Sequence, residues 1–335
     1  MLKIILKTII KLTLSFPVNY LLNKYNFFII FRHGSAIGDH VYLSSVIREI
    51  KIKHNKKILL FTNYYFLYFN NPRIYKLFKF DYGSFIWSIL NCLKGDAVFE
   101  FRSEKDNSKF KHFIFFHSNT RMHISQAVSE HLKLKIDYSS LKNEFFFSKS
   151  EVNSYEKNIL LPKNFSVIQS TTKKTYTDNK EWSVEGMQII VNSFPEINWI
   201  QVGKSTEPKL KNCKYYLDSD LRLAAYIISK CEFIVCYEGL FNHLASCFEK
   251  KCFLIHTGFL HIDCINYKNN IVIHKNSSMS CYPCYDLECP THNKEIVEKL
   301  DQEYVINIIK SNLINKYEKK KSISTFKNII QSSLT

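Results

Sequence analysis

Apolar runs that end in a small-residue turn and then give way to helical spacing recur along this chain, an alternation that predicts an α/β fold of parallel strands. The first run is Phe27-Phe28-Ile29-Ile30-Phe31, and the turn after it reads Arg32-His33-Gly34-Ser35-Ala36-Ile37-Gly38-Asp39-His40. From Val41 to Ile50 the apolar residues recur at helical spacing. Further strands are predicted at 57–62, 96–101, 165–169, 199–203, 233–236 and 252–255, with helices from about Val184, over 221–230 and after His243. Asn70-Asn71-Pro72 breaks the chain between the second and third strands. The composition turns polar after Phe145-Phe146-Phe147, and a helix-compatible run there ends at Leu160-Leu161-Pro162-Lys163, where a domain linker is expected. The predicted division is an amphipathic helix over 1–22, one domain over 23–155, a second over 156–310, and a basic tail over 311–335.

In the first segment Lys3, Lys7 and Lys11 stack on one helical face and leave a broad apolar face opposite. No apolar run there reaches the ~18 residues of a spanning helix. The pattern fits a helix lying in a membrane interface with its lysines toward anionic head groups; the competing reading is a helix packed on the protein's own surface. No small-residue cleavage site follows, which argues against a removed signal peptide.

A length of 335 residues suits two such domains. The net charge of +16 attracts an anionic lipid or a phosphorylated substrate. Nucleic acid is not expected, since no binding module accompanies the charge. Ten cysteines in a chain of this size are no disulfide scaffold. Cys231, Cys236, Cys247 and Cys252 stand in apolar segments as small hydrophobes, which suits a reducing compartment.

No Gly-x-Gly-x-x-Gly, Walker loop or His-Glu-x-x-His is present. Phosphate can be held instead by a helix N-terminus. A helix starting near Asn242 would do so, aided by the hydroxyls of Thr171 and Thr172 and the ammonium of Lys180. Taken singly, Asp39 also reads as a carboxylate stabilising a helix dipole, and His243 as a core histidine bonded to backbone. His33 and His40 read as local contacts, with His33 within reach of an acceptor phosphate. The segment Cys281-Tyr282-Pro283-Cys284-Tyr285-Asp286-Leu287-Glu288-Cys289-Pro290-Thr291-His292 offers Cys281, Cys284, Cys289 and His292 as a ligand set that zinc accepts. A packed, reduced, metal-free cluster is the plainer reading of it.

Three pieces in order carry a resemblance: Ser35-Ala36-Ile37-Gly38-Asp39; Ser170-Thr171-Thr172 with Lys180-Glu181-Trp182; and Glu238-Gly239-Leu240-Phe241-Asn242-His243-Leu244-Ala245. Together they resemble the heptosyltransferase-like glycosyltransferases of family nine, whose pieces read Ser-Ala-x-Gly-Asp, Lys-x-Trp, and Asp-Ser/Thr-Gly-x-x-His-x-Ala or Glu-Gly-Gly-x-His-His. The resemblance implies a GT-B fold, two Rossmann-like doubly wound domains facing across a cleft. The acceptor would sit mainly on the first domain, beside Arg32, His33 and Ser35, and the nucleotide-sugar donor on the second. Asp39 would be the general base of an inverting transfer. Lys180, the amides near Asn242 and His243, and Thr171 and Thr172 would neutralise the departing diphosphate, with Glu238 and Gly239 shaping the sugar pocket. The chemistry implied needs no cofactor and no metal, and cysteine-rich segments like this one occur in the family without an obligatory metal. The acceptor implied is lipopolysaccharide or another lipid-linked glycan, and the expected place is the cytoplasmic face of an anionic membrane. Glu238-Gly239-Leu240 departs from the usual Asp-Ser/Thr-Gly, so the donor sugar stays open. A binding or assembly protein that keeps the fold without transferring sugar is the alternative.

Overall fold

The computed structural model describes residues 13–14, 16–34, 36–80, 98–103, 121–131, 142–172 and 177–313. Lys3, Lys7, Lys11, Ser35 and the basic run at 316–321 lie outside them, as do the side chains of His33 and His292.

The first sheet holds β1 (Phe27–Gly34), β2 (Lys57–Thr62), β3 (Ile74–Lys79) and β4 (Val98–Ser103) in the order β3-β2-β1-β4, all parallel. Helix α1 (Ile37–His54) returns the chain from β1 to β2 and buries Val41, Tyr42, Leu43, Val46, Ile47 and Ile50. Helix α2 (Ile124–His131) packs beside it.

Helix α3 (Lys149–Asn158) starts at a capping box, in which Glu151 N–H donates to Ser148 Oγ and Ser148 N–H to Glu151 Oε2. It spans the expected 155/156 boundary and rests on the second unit, with Tyr155 4.9 Å from Tyr226.

That unit runs β5 (Phe165–Ile168), α4 (Val184–Ser193), β6 (Asn198–Gly203), β7 (Cys213–Leu217), α5 (Leu221–Lys230), β8 (Phe233–Tyr237), α6 (Leu240–Cys247), β9 (Lys251–Ile255), β10 (Asn270–Ile273) and α7 (Pro290–Lys299). Its parallel sheet has the order β10-β9-β8-β5-β6-β7. Strands β5 and β8 are buried at every position, and apart from Ser166 they read as apolar runs.

Three strands escape the hydrophobic pattern, β3, β7 and β10, and all three are edge strands. Half-exposed edges such as Ile74-Tyr75-Lys76-Leu77-Phe78-Lys79 bury too little to show a run. Helix α6 begins at Leu240 rather than after His243.

Strand order reverses between β1 and β4 in the first sheet, and between β5 and β8 in the second. Such switch points open a crevice beyond the carboxyl ends of the strands, where ligands of doubly wound sheets bind. Residues 16–24 form a helix that packs Val18 and Leu22 against Ile29, Phe31 and Phe80. Phe16 (81%), Tyr20 (59%) and Leu21 (47%) of that helix stay in solvent. No helix among the described residues is long and apolar enough to cross a membrane.

Candidate active site

The two strand-to-helix turns meet. A Cβ on Gly38 would stand 3.2 Å from Leu240 N and 3.1 Å from His243 Cδ2, so the first turn of α1 lies directly on the first turn of α6. A side chain at this position would require the Leu240 backbone or the His243 ring to give way by a few tenths of an ångström. The Tyr42 ring meets the edge of His243 at 5.5 Å, which continues the same seam. An arginine ties the two units on another side. Arg222 donates to Phe66 O (2.8 Å), Phe146 O (2.5 Å) and the Glu151 carboxylate (2.5 and 2.8 Å).

Asp39 stands in the first turn of α1 with 23% of its side chain exposed, and its Oδ2 lies 3.1 Å from Arg32 Nη2. Arg32 is fully buried. This corrects the expectation that Arg32 faces an acceptor: its guanidinium reaches Asp39 from inside the protein and aims that carboxylate. His40 is also internal, with Nδ1 3.1 Å from Thr62 Oγ1 and its ring against Tyr64, as expected of a local contact.

On the other side of the seam, Glu238 ends the β8 turn with 1% of its side chain exposed. Its Oε1 lies 3.0 Å from Lys180 Nζ and its Oε2 3.7 Å from His256 Nε2. Lys180 and Glu238, which the sequence suggested for separate tasks, form one ion pair here. Lys180 Nζ also lies 4.9 Å over the Phe259 ring.

His256 follows β9, is wholly buried, and went unnoticed in the sequence because His256-Thr257-Gly258 belongs to no motif named above. An amide nitrogen only donates, so Asn276 Nδ2 donates to His256 Nδ1 (2.9 Å) and the neutral ring carries its proton on Nε2, toward Glu238. Burial pushes the His256 pKa down to about 4, although Glu238 pulls it up.

Gly239 adopts φ 130°, ψ −145°, a conformation that side chains avoid, and a Cβ there would meet no atom within 4 Å. The turn therefore needs glycine for its backbone, and its outer side is open. Helix α6 leaves the amides of Leu240, Phe241 and Asn242 outside its own bonding ladder. His243 N–H is not among them, since it donates to Gly239 O (3.1 Å). The Asn242 side chain is also occupied: fully buried, it donates to Ile265 O (2.9 Å) and accepts from Asn270 Nδ2 (3.0 Å). What α6 offers an anion is backbone alone.

The His243 ring is a seam residue. Asn143 Nδ2 donates to Tyr267 Oη (2.9 Å), and the Tyr267 hydroxyl shares a hydrogen bond with His243 Nδ1 (2.6 Å). Burial, with help from His123 and Lys180, pushes the His243 pKa down to about 3, so it stays neutral.

Thr171 and Thr172 follow β5, across the switch point from Glu238. Thr172 N–H donates to Glu181 Oε2 (3.0 Å), and Thr172 Oγ1 is buried with no hydrogen-bond partner among the described residues. Thr171 O accepts from Gln169 Nε2 (2.7 Å), whose Oε1 accepts from Tyr237 N–H, so Gln169 stitches the two switch-point strands together. Trp182 is buried core: its ring would lie 2.5 Å from a Cβ on Gly186 of α4. Cys281, Cys284 and Cys289 lie on the loop between β10 and α7.

A partly exposed carboxylate thus stands on a turn that rests against the N-terminus of α6, and the residue before that helix's glycine belongs to a buried carboxylate–ammonium pair. That arrangement suits a hydroxyl nucleophile on one side and an anionic leaving group on the other.

No known family's sequence profile matches the chain, and no curated protein matches it in sequence. Solved structures do. The glycosyl transferase family 9 protein of Veillonella parvula superposes with a TM-score of 0.59 at 12% identity, covering 87% of this chain and 98% of that one. ADP-heptose lps heptosyltransferase II of E. coli gives 0.59 at 10%, covering 87% and 99%. The dodecameric iron-containing heptosyltransferase TibC of enterotoxigenic E. coli, in complex with ADP-D-beta-D-heptose, gives 0.58 at 10%, covering 85% and 75%. At these identities the likeness shows the fold, which is the GT-B arrangement of two Rossmann-like domains.

Proposed function

We propose that the protein is an inverting glycosyltransferase that moves a sugar from a nucleotide-sugar donor to a lipid-linked, anionic glycan at a membrane surface. The observation that carries this reading is the seam, where Gly38 lets the Asp39 turn rest on the N-terminus of α6 beside Lys180 and Glu238. The three solved structures compared above are a glycosyl transferase and two heptosyltransferases, one of them in complex with ADP-D-beta-D-heptose.

In the reaction, an acceptor hydroxyl attacks the anomeric carbon while Asp39 takes its proton, with Arg32 holding the carboxylate in line. The bond from that carbon to the diphosphate breaks, and the nucleoside diphosphate leaves with the electron pair. The amides of Leu240 to Asn242 and the Lys180 ammonium take up its growing charge. Lys180 is then shared between Glu238 and phosphate. Glu238, left facing His256, is placed to accept hydrogen bonds from sugar hydroxyls.

The exposed Phe16, Tyr20 and Leu21 support docking at a bilayer, since the same helix anchors its other face on the first sheet. The net charge of +16 fits an anionic lipid surface and a phosphorylated acceptor. The cytoplasmic side is the natural place, because nucleotide sugars are made there and nine of the cysteines stand as free thiols.

The test measures transfer of labelled sugar from ADP-, GDP-, UDP- and CMP-sugars into a lipid extract. Wild type is expected to transfer from one of them. Asp39→Ala is expected to lose transfer and keep nucleotide binding; full turnover in that variant sinks the mechanism. Saturable donor binding by wild type without transfer to any lipid would favour the assembly-protein alternative.

A further inference from the structure

Apart from Cys213, which lies alone on β7, the cysteines among the described residues fall into two populations. Cys231, Cys236, Cys247, Cys252 and Cys264 are buried among apolar side chains, where a thiol packs as a small hydrophobe. Cys281, Cys284 and Cys289 are only half-buried, on an irregular loop, and their Sγ atoms all lie within 4.8 Å of one another. Half-buried thiols gain little from packing, so burial alone does not account for this convergence. A disulfide needs two sulfurs and would leave the third with no reason to be there. Four-coordinate zinc at about 2.3 Å from each sulfur sets neighbouring thiolates about 3.8 Å apart, within the spread seen here.

We propose that Cys281, Cys284 and Cys289 bind one divalent transition ion of the zinc or ferrous class, in a tetrahedral thiolate-rich site. In the sequence His292 follows at the spacing C-x2-C-x4-C-x2-H, which makes it the candidate for the fourth position by spacing alone. The ion would be structural, with all four positions taken by protein.

Its role follows from what the loop holds. Cys284 N–H donates to Gly258 O and Tyr285 N–H to Phe259 O, both at 3.0 Å. Asn179 Nδ2 donates to Asp286 O, and Thr177 Oγ1 donates to Leu287 O (2.8 Å). The Thr257 hydroxyl in turn donates to Asn179 O (2.7 Å). The cysteine loop therefore grips both segments that frame Lys180: residues 177–180, which carry it, and Gly258-Phe259, whose ring lies beneath its ammonium. A metal knot at 281–289 braces the cation of the proposed donor site from behind without touching the reacting atoms. This role rests on the glycosyltransferase reading; the metal site itself does not.

The full-length protein, purified without chelator from medium supplied with zinc and iron, is expected to carry about one equivalent of one of the two ions by elemental analysis. Which ion is found separates the two sources. Cys281→Ser, Cys284→Ser and Cys289→Ser should each lower the content about tenfold or more. His292→Ala should lower it or change the visible spectrum of the cobalt-substituted protein. For variants that fail to fold, wild type with a chelator serves instead: loss of the ion should lower the unfolding temperature and raise the donor dissociation constant. Metal well below one equivalent in wild type, content unchanged by the serine variants, or a disulfide among the three thiols by non-reducing mass spectrometry would each overturn the site. Metal content is read with no donor present, so it survives a failure of the transferase reading. If metal is bound but its removal leaves donor affinity unchanged, the bracing role is wrong.

Discussion

After β1 the chain places Asp39 in the first turn of a helix, 23% exposed and aimed by one buried arginine. After β8 it places Glu238 just ahead of another helix, 1% exposed, between an ammonium and a neutral imidazole. The topology is the same in both cases, and the electrostatic surroundings are opposed. A carboxylate that must take a proton from a bound hydroxyl has to be reachable, and Asp39 is. A carboxylate that organises a pocket gains from burial, because in a low-dielectric site its partners hold it more strongly. Asp39→Asn should therefore cost transfer about 10²- to 10⁴-fold, the range of a lost general base. Glu238→Gln should keep measurable turnover and act mainly on the KM for donor. Steady-state kinetics of both variants checks this, and equal losses of kcat would erase the distinction between the turns.

The buried pair gives the next largest effect, this time on stability. Lys180→Met leaves Glu238 charged and buried with only a neutral histidine for company, which should cost about 3 kcal/mol. Adding Glu238→Gln removes the stranded charge and should restore most of that loss. Denaturant unfolding of the two single variants and the double variant measures it. Additive losses would mean that the two side chains do not act as a pair.

Gly38 tests whether the two turns depend on one another. A methyl there would press on the backbone of Leu240, which cannot swing away as a side-chain tip would. Gly38→Ala should cost about 2 kcal/mol of stability through overpacking. On the proposed mechanism it should also slow transfer, since it pushes the Asp39 turn away from the N-terminus of α6. The two unfolding curves and kcat are the readouts. Slowed transfer at unchanged stability would point to a hinge that gives rather than a packed seam.

The central strands, with their turns, were legible because strands buried on both faces must be written as apolar runs. Three edge strands, β3, β7 and β10, were not, since they bury little, whereas the edge strand β4 was expected at 96–101. Asp39, Lys180 and Glu238 stood out through motif order, yet no motif states that Lys180 and Glu238 pair, because the pair joins two chain segments that only tertiary packing brings together. Arg32 misled for a related reason. An arginine at a strand end reads as exposed, whereas here it is buried against a carboxylate seven residues away. His256 carried no signal at all, being one histidine after an ordinary strand. The cysteine spacing was visible from the start, but the convergence of three sulfurs on one point is a fact of folding alone.

The smallest effect concerns protons, and it belongs to the second turn. His256 has a folded pKa of about 4 and His243 of about 3, both below the ordinary 6.5, and burial is the main cause of each. Below pH 6.5 the unfolded chain binds the more protons, so stability falls with falling pH. The contribution of each neutral imidazole is whole above about pH 6.5 and is lost as pH drops toward 4 for His256 and 3 for His243. The slope is about 1.4 kcal/mol per pH unit for each histidine. His256→Gln removes one of the two titrations, so the wild-type unfolding free energy should approach that of the variant between pH 6.5 and pH 5, by about 2 kcal/mol. Denaturant titrations at half-unit steps decide the matter. Parallel pH profiles would mean that His256 does not stay neutral beside Glu238, and the second turn would then hold two charged partners around its carboxylate rather than one.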